Sequence, residues 1–237
     1  MGLITRLARE TLDLFFPPVC LLCEQRLAVQ GLCEGCLEGL NRIHSPRCSV
    51  CGVPFGNDKG PDRPCAQCLK KRPPFVSARS ALYYNDAASL AIRRFKYHGD
   101  SSLAIPFSAL MTEAMGKGTV DLIVPVPLHK KRLRQRGFNQ SLILARALSK
   151  STGIEVDYKC LKRIRHTLPQ VELKEDERLV NVKGAFKVMD ISRIKGKRML
   201  LVDDVYTTGA TVRECSSALK KAGAIVHVLT IARAHKV

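Results

Sequence analysis

The sequence predicts an α/β domain built around a parallel sheet, preceded by a small domain that is rich in cysteine. Two observations predict this division. Eight of the ten cysteines lie between Cys20 and Cys68, and the remainder of the chain alternates apolar strand patterns with amphipathic helix patterns. We therefore assign residues 1–72 to an N-terminal helix and the cysteine-rich domain, and residues 73–237 to the α/β domain, which is long enough for one core.

The N-terminal segment, residues 1–16, is expected to form a short amphipathic helix that packs on its own domain. Leu3, Leu7 and Leu14 would contribute to its apolar face. A helix lying on a membrane surface is the alternative. Charged residues interrupt the segment, so it lacks the apolar core of a signal peptide, and no stretch approaches the roughly 20 apolar residues of a transmembrane segment. We therefore expect a cytoplasmic protein.

The cysteines of the first domain form four Cys-x-x-Cys pairs: Cys20/Cys23, Cys33/Cys36, Cys48/Cys51 and Cys65/Cys68. Two thiolates at this spacing can occupy adjacent corners of a tetrahedral metal site, and two pairs complete one site. The pairs therefore predict two structural Zn²⁺ sites, which would supply folding energy to a region with few large apolar residues. Four disulfides or a redox-active pair are the alternatives, and a reducing cytosol disfavours disulfides.

The order in which the four pairs combine stays open. Sequential pairing joins the first two pairs in one site and the last two in the other, whereas interleaved pairing would cross them. We favour sequential pairing because it closes shorter loops. Cys160 and Cys215 stand apart in apolar surroundings, and we expect both to be buried and unreactive.

Strand and helix patterns alternate in the second domain, and this alternation predicts a parallel sheet with helices on both faces. The expected elements, in chain order, are a strand at 79–84, a helix capped by Asp86, a helix at 103–115, a strand within 121–128, a helix at 138–148, a strand near Val156, a polar hairpin at 163–186, a strand at 199–202, a helix ended by Gly223, and a strand at 225–232.

The positive charge of the chain is concentrated in the second domain. Residues 1–72 carry 10 Lys and Arg against 7 Asp and Glu, whereas residues 73–237 carry 29 against 14. Such a surface can bind nucleic acid, or it can simply keep a protein in solution. Five cations cluster in a predicted loop after the strand that ends in Pro-Val-Pro, and we expect an anionic ligand there: Lys130, Lys131, Arg132, Arg134 and Arg136.

The segment 199–211 carries the strongest chemical signal. Four apolar residues predict a buried strand, and Asp203 and Asp204 stand at its carboxyl end, where open α/β sheets bind ligands. A turn of small and hydroxyl-bearing residues then leads into a helix: Thr207, Thr208, Gly209, Ala210 and Thr211. Free amides at a helix start favour a phosphate, and ionised carboxylates accept hydrogen bonds from vicinal hydroxyls. The segment therefore predicts a ribose 5-phosphate site. A threonine-capped turn without a ligand is the alternative, and it leaves the paired acids unexplained.

This segment resembles the 5-phosphoribosyl-1-pyrophosphate (PRPP) signature of type I phosphoribosyltransferases over 13 consecutive positions. The resemblance implies a type I phosphoribosyltransferase-like sheet, PRPP bound with Mg²⁺, and Asp203 and Asp204 as the catalytic pair that grips the ribose and the metal. It places pyrophosphate at the basic loop: Lys130, Lys131, Arg132, Arg136 and Gly137. A flexible hairpin that includes Arg165, Gln170 and Arg178 would cover the site, or would be an ordinary charged hairpin.

The chain as a whole resembles the competence protein F (ComF) family, which joins a double zinc ribbon to a phosphoribosyltransferase-like domain. Besides the cysteine pairs, the resemblance rests on the run 95–97 before Gly99, the runs 125–128, 136–140 and 202–211, and Gln170 with Arg178 and Asn181. It implies a role in the uptake of single-stranded DNA during natural transformation, with single-stranded DNA and other DNA-uptake or DNA-processing proteins as partners. Tyr206 is bulkier than most residues at its place in the signature, so we expect it to alter access of the phosphate.

Three functions stay open. The chain could transfer a ribosyl phosphate to an unknown small-molecule acceptor with release of pyrophosphate, or it could sense PRPP without turnover. It could instead handle DNA, using the zinc ribbons as a docking arm and aromatic residues as stacking platforms. The candidate platforms, which are more often core residues, are Tyr83, Tyr84, Phe95, Tyr97 and Phe138.

Overall fold

The computed structural model describes residues 16–56, 59–97, 101–116, 118–167 and 180–234, except for the side chain of Tyr97. The helix expected at residues 1–16 lies almost wholly outside the described residues. The helices are α1 (Glu34–Gly39), α2 (Ala66–Lys70), α3 (Asp86–Tyr97), α4 (Ala104–Met115), α5 (Lys130–Arg136), α6 (Gln140–Thr152) and α7 (Ala210–Lys221). The strands are β1 (Ser77–Tyr83), β2 (Leu122–Pro125), β3 (Leu161–Arg163), β4 (Phe186–Val188), β5 (Arg198–Tyr206) and β6 (Ile225–Arg233).

The central sheet has four parallel strands in the order β1-β6-β5-β2. Side chains along β5 point alternately to its two faces, so that Met199 and Leu201 belong to one buried cluster and Leu200 and Val202 to the other. Helix α7 packs on the first face, and α3, α4 and α6 pack on the second. These features confirm the predicted parallel α/β sheet with helices on both faces.

The basic cluster forms the seven-residue helix α5, so the expectation of a loop is wrong. The cluster consists of Lys, Arg, Leu and Gln, which are all good helix formers. His129 caps the helix by accepting a hydrogen bond from the amide of Lys131 at 3.3 Å, and Gly137 ends it in a left-handed conformation with φ of 82°.

Several element boundaries also differ from expectation, and two of them bear on the site. Asp86 is the first residue of α3 and not its cap, because the Oδ1 atom of Asn85 accepts a hydrogen bond from the amide of Ala88 at 2.9 Å. Strand β5 continues to Tyr206 by pairing with β6, so the two acids lie inside the strand and not beyond its end.

The cysteine-rich region packs against both faces of the sheet at its β1 edge. The amide of Ile43 donates to the carbonyl of Ala81 at 2.9 Å, and the amide of Ala78 donates to the carbonyl of Val50 at 2.7 Å. Residues around the first two cysteine pairs join the buried cluster of α3, and residues around the last two join the cluster of α7. The region therefore covers the edge of the sheet and shares its core.

The antiparallel pair β3-β4 is the base of the predicted polar hairpin, whose residues 168–179 lie outside the described part of the chain. Val156 forms an isolated parallel bridge to Ile123 in place of a full strand. No helix among the described residues has both the length and the apolar character needed to cross a membrane.

Candidate functional site

Four cysteine sulfurs come together at each of two places, in the sequential pairing. The first group is Cys20, Cys23, Cys33 and Cys36, and the second is Cys48, Cys51, Cys65 and Cys68; the sulfurs of each group lie within 4.8 Å of one another. The sulfurs of Cys23 and Cys33 are 3.6 Å apart, and those of Cys51 and Cys65 are 3.8 Å apart. A tetrahedron with Zn–S bonds of about 2.3 Å has edges of about 3.8 Å, so both groups fit Zn²⁺.

Backbone amides stabilise the thiolate form that zinc requires. The amides of Cys51 and Cys65 donate to the sulfur of Cys48 at 3.3 Å and 3.2 Å. Burial opposes ionisation of Cys48, but these amide donors outweigh it and lower the pKa of the thiol to about 6. The pKa of Cys20 is lowered to about 6 in the same way, against the effect of burial. None of the ten cysteines, all of which lie in the described residues, forms a disulfide, and Cys160 and Cys215 are buried as expected.

A cleft of ≈ 240 Å³ lies at the carboxyl end of β5. It is enclosed by the ends of β2 and β5, the loop that leads into α7, one side of α5, the start of α6 and the hairpin strand β3. Its polar lining consists of Lys96, Arg132, Arg136, Gln140, Arg163, Asp203, Asp204, Tyr206, Thr207 and Thr211. Several of these side chains come from distant parts of the sequence, so the fold concentrates positive and negative groups in one place.

The structure brings most of the predicted site residues to this cleft, and it leaves some outside. Those that line it are Asp203, Asp204, Thr207, Gly209, Ala210, Thr211, Arg132 and Arg136. Those that do not are Thr208, Lys130, Lys131, Gly137 and Arg165. Gln170 and Arg178 lie outside the described residues. Thr208 accepts a hydrogen bond from the amide of Ala210 at 3.3 Å, and Arg165 donates to the carbonyl of Asn181 at 3.0 Å across the hairpin.

The two adjacent acids have different partners. Asp204 forms an ion pair with Lys96, with 2.9 Å between Oδ2 and Nζ, and accepts a hydrogen bond from the side-chain amide of Gln140 at 3.1 Å. Asp203 accepts a hydrogen bond from the hydroxyl of Ser141 at 3.0 Å. A full positive charge therefore lies against one carboxylate, and a neutral donor against the other.

These partners separate the acidities of the two carboxyl groups. Burial, together with the charge of Asp204, raises the pKa of Asp203 from its ordinary value of 3.8 to about 7. Burial acts on Asp204 in the same direction, but the ammonium group of Lys96 outweighs it and lowers the pKa of Asp204. Asp204 is therefore ionised at neutral pH, whereas Asp203 exchanges its proton near neutrality.

The free energy of unfolding of the ligand-free protein is expected to contain a term from Asp203 that falls from about pH 4 to about pH 7. In this range the folded protein keeps a proton that the unfolded chain has already released, so folding is favoured most at the acidic end. The variant Asp203→Asn lacks this proton, and its unfolding free energy should fall less over the same range. Denaturant unfolding of both proteins at several pH values measures the difference. Identical pH profiles would contradict the raised pKa.

Sequence reasoning did not assign site roles to four residues at the cleft: Lys96, Gln140, Ser141 and Arg163. Lys96 and Gln140 lie in two of the runs that carry the family resemblance, and membership of those runs could have marked both residues as site candidates. No local pattern could show that Lys96, at the end of α3, reaches an acid of β5. Arg163 is a charged residue in the first strand of a hairpin, and only the packing of that hairpin brings it to the cleft.

The turn between β5 and α7 depends on a glycine that packs on Tyr206. Gly209 has φ of 76°, and a Cβ atom at this position would lie 2.3 Å from the hydroxyl oxygen of Tyr206. Tyr206 is only 2% exposed, so its ring forms the floor of the turn. The twelve-residue helix α7 begins directly after Gly209, and its first amides have no intrahelical acceptors. A turn of this kind, in which the amide of Ala210 already donates to Thr208, can direct backbone donors to an anion.

Comparisons with known proteins agree with both parts of the structure. Residues 11–69 match the family described as "Double zinc ribbon domain", and residues 138–236 match "Phosphoribosyl transferase domain". Competence protein F of Haemophilus influenzae is 32% identical over 219 residues, which cover 88% of this chain and 93% of that protein. This chain belongs to the competence protein F (ComF) family. DNA utilization protein YhgH of Escherichia coli K12 is 33% identical over 217 residues, with the same coverage, and competence protein ComFC of Bacillus subtilis is 28% identical over 227 residues, covering 86% of this chain and 90% of that protein.

Solved phosphoribosyltransferases are also similar to this ComF-family chain, at low identity. Adenine phosphoribosyltransferase from Thermoanaerobacter pseudethanolicus is 13% identical, with a TM-score of 0.37 over 57% of this chain and 83% of that chain. Orotate phosphoribosyltransferase from Aeropyrum pernix is 16% identical, with a TM-score of 0.36 over 65% of this chain and 80% of that chain.

Proposed function

We propose that this ComF-family protein binds PRPP in the cleft at the carboxyl end of β5 and transfers its ribosyl phosphate to an acceptor. The observation that carries the proposal is the convergence of three groups on one cleft: the acids of β5, the turn that precedes α7, and the arginines of α5. Each group suits a different part of PRPP. A ligand-free strand, turn and helix would not require all three groups in one place.

The proposed roles follow from the chemistry of each group. The amides and hydroxyls of the turn at 207–211 would bind the 5-phosphate. Asp203 and Asp204 would accept hydrogen bonds from the ribose hydroxyls. Arg132 and Arg136 would bind the pyrophosphate through their forked guanidinium donors. The acids are also suitable ligands for Mg²⁺, which would neutralise part of the pyrophosphate charge when bound.

In the proposed transfer, the bond between C1 of the ribose and the pyrophosphate oxygen breaks, and the electron pair leaves with pyrophosphate. A nucleophilic atom of the acceptor then donates the electron pair that forms the new bond to C1. The carbon becomes positively charged between these events, so nearby carboxylates stabilise it and fixed positions reduce the entropic cost. Binding of PRPP without turnover, as in a sensor, uses the same residues.

We further propose that the protein acts in the cytoplasm, where PRPP is available.

The variant Asp204→Asn is expected to weaken PRPP binding by about 1–3 kcal/mol, because it removes a charged acceptor from the cleft. Asp190→Asn is the matched control. Asp190 accepts a hydrogen bond from the hydroxyl of Ser192, and it does not line the cleft. Isothermal titration with PRPP and Mg²⁺ measures both affinities, and circular dichroism checks folding. If the two variants bind PRPP equally well, the ligand does not use this cleft.

A second observation favours binding of single-stranded DNA. An open groove of ≈ 810 Å³ lies between α1 and the carboxyl ends of β1 and β6. Tyr84 lies on the wall of this groove and is 40% exposed. Arg42 and His44 add a cationic and a hydrogen-bonding group. Arg42 also forms an ion pair with Glu113 at 3.1 Å. An exposed aromatic face beside an arginine suits a base and its phosphate. Glu34 and Glu38 also line the groove, so a bound strand must place its phosphates on the Arg42 side. By contrast, Phe95 is fully buried and cannot act as a platform.

The variant Tyr84→Leu is therefore expected to weaken single-strand binding by about 1–3 kcal/mol, the usual value of one stacked base. Tyr158→Leu is the matched control, since Tyr158 is 50% exposed but lies outside the groove. Fluorescence anisotropy with a labelled oligonucleotide at several salt concentrations measures affinity and its salt dependence.

The double variant Lys130→Gln and Lys131→Gln tests the contribution of the basic cluster. It should reduce the slope of log affinity against log salt concentration by about 0.7 for each phosphate that the protein no longer neutralises. Weak, salt-independent binding by the wild type would refute this second function and leave PRPP binding untouched.

A further inference from the structure

The guanidinium group of Arg233 lies between the second cysteine group and the floor of the turn before α7. Arg233 is the last residue of β6 and pairs in register with Tyr206, the last residue of β5. Its Nη1 atom donates to the carbonyl of Cys51 at 2.8 Å, and Nη2 lies 4.0 Å from the Cys51 sulfur. Its Cζ atom stands 4.1 Å above the ring centroid of Tyr206. One side chain therefore contacts both the ribbon and the turn.

The contact chain continues from Tyr206 into the turn itself. The hydroxyl of Tyr206 lies so close to Gly209 that a Cβ atom there would be 2.3 Å away, and the left-handed conformation of Gly209 positions the start of α7. Tyr206 and Arg233 are 2% and 9% exposed, so neither ring nor guanidinium can move without disturbing its neighbours. Cys51, Arg233, Tyr206 and Gly209 thus form one buried column.

The properties of arginine suit this position. A planar guanidinium can stack on an aromatic face while its edge donates hydrogen bonds to a carbonyl, which a lysine ammonium cannot do in the same geometry. The acceptor is the carbonyl of a zinc-ligating residue, and its orientation depends on whether the four sulfurs are held by a metal. Without the metal, the Cys48–Cys51 turn loses its fixed shape, and Arg233 loses a fixed acceptor.

We propose that Arg233 is a positioning residue that couples the second zinc site to the phosphate-binding turn, so that zinc and a bound phosphate ester each increase the affinity for the other. This inference rests on the proposed function, because the turn must bind a phosphate for the coupling to exist. By linkage, the factor by which zinc strengthens phosphate binding equals the factor by which phosphate strengthens zinc binding. The coupling can therefore be measured from the zinc side.

The test measures the zinc affinity of the full-length protein by competition with a chelator of known affinity, with and without saturating ribose 5-phosphate. The same measurement on the variant Cys23→Ser, which has lost a ligand of the first site, separates the zinc affinity of the second site from that of the first. We expect ribose 5-phosphate to raise the affinity of the second site by about fivefold or more in the wild type. In Arg233→Met this increase should disappear, and in Arg233→Lys it should be smaller than in the wild type.

Arg79→Met is the matched control. Arg79 also anchors the second ribbon, since its Nη1 atom donates to the carbonyls of Cys48 and Ser49 at 3.3 Å, and it does not line the cleft. It should retain the increase seen in the wild type. Thermal unfolding of each zinc-loaded variant checks folding, and the wild-type and Arg233→Lys measurements decide the question even if Arg233→Met does not fold.

Two results would overturn the inference, and they differ from failure of the proposed function. If calorimetry shows that the wild type binds ribose 5-phosphate while the zinc affinity is unchanged by it, the sites are independent. If Arg233→Met shows the same increase as the wild type, the coupling does not pass through Arg233. If neither ribose 5-phosphate nor PRPP binds the wild type at all, the proposed function fails, and the coupling is refuted with it.

Discussion

Loss of the second zinc site is expected to lower the stability of the α/β domain markedly without unfolding it, whereas loss of the first is expected to have a smaller effect on that domain. Structural zinc contributes folding free energy to the region that holds it, because the metal site and the local fold form together. Cys48, Cys51 and Cys68 belong to the buried cluster that includes one face of β5 and α7. Removing the metal from these residues therefore exposes part of the sheet's own core.

The matched variants are Cys51→Ser and Cys23→Ser. Each removes one of four ligands, but Cys51 is 5% exposed within the core cluster, whereas Cys23 is exposed to solvent. We expect two zinc equivalents in the wild type and one in each variant. Thermal unfolding followed by circular dichroism should show a much larger loss of stability for Cys51→Ser. Equal melting temperatures in the two variants would show that the second ribbon does not support the sheet.

The variant Gly209→Ala is expected to lose most of its affinity for PRPP. An alanine in a left-handed conformation costs roughly 1–2 kcal/mol in any turn. At this position the new Cβ atom would also lie 2.3 Å from the hydroxyl oxygen and 2.4 Å from Cζ of Tyr206. The buried ring cannot move aside, so the turn must, and its donors would then no longer converge on the phosphate. Loss of two charge-assisted hydrogen bonds predicts a decrease of about 3 kcal/mol or more, which exceeds a hundredfold.

Gly153→Ala is the control for backbone strain. Gly153 has φ of 74° at the end of α6, and no atom within 4 Å would meet its Cβ, so alanine there causes strain without a clash. Both variants should lose comparable stability from strain, and only Gly209→Ala should lose PRPP binding in isothermal titration. Normal PRPP affinity in Gly209→Ala would mean that the phosphate does not bind at this turn.

The local features of the fold were predictable because they depend on short sequence spacings. The spacing of the cysteine pairs indicated two four-cysteine groups, and the structure confirms their sequential pairing. The apolar run of β5 and the amphipathic face of α7, with Val212, Cys215 and Leu219 buried, were also correct. The helix α5 was predictable in principle, because its residues favour helix and Gly137 ends it, but the high charge led to the interpretation as a loop.

The sequence by itself determined the parallel α/β architecture, the two cysteine groups and the strand, turn and helix that hold the proposed phosphate site. Each depends on spacings or periodicities among neighbouring residues, which the order of amino acids encodes directly. Only the tertiary structure decided that Lys96 pairs with Asp204 and that Arg233 contacts Cys51, 182 residues away. Such contacts depend on how the sheet, helices and ribbons pack together. No local pattern specifies which distant charge a buried group will meet.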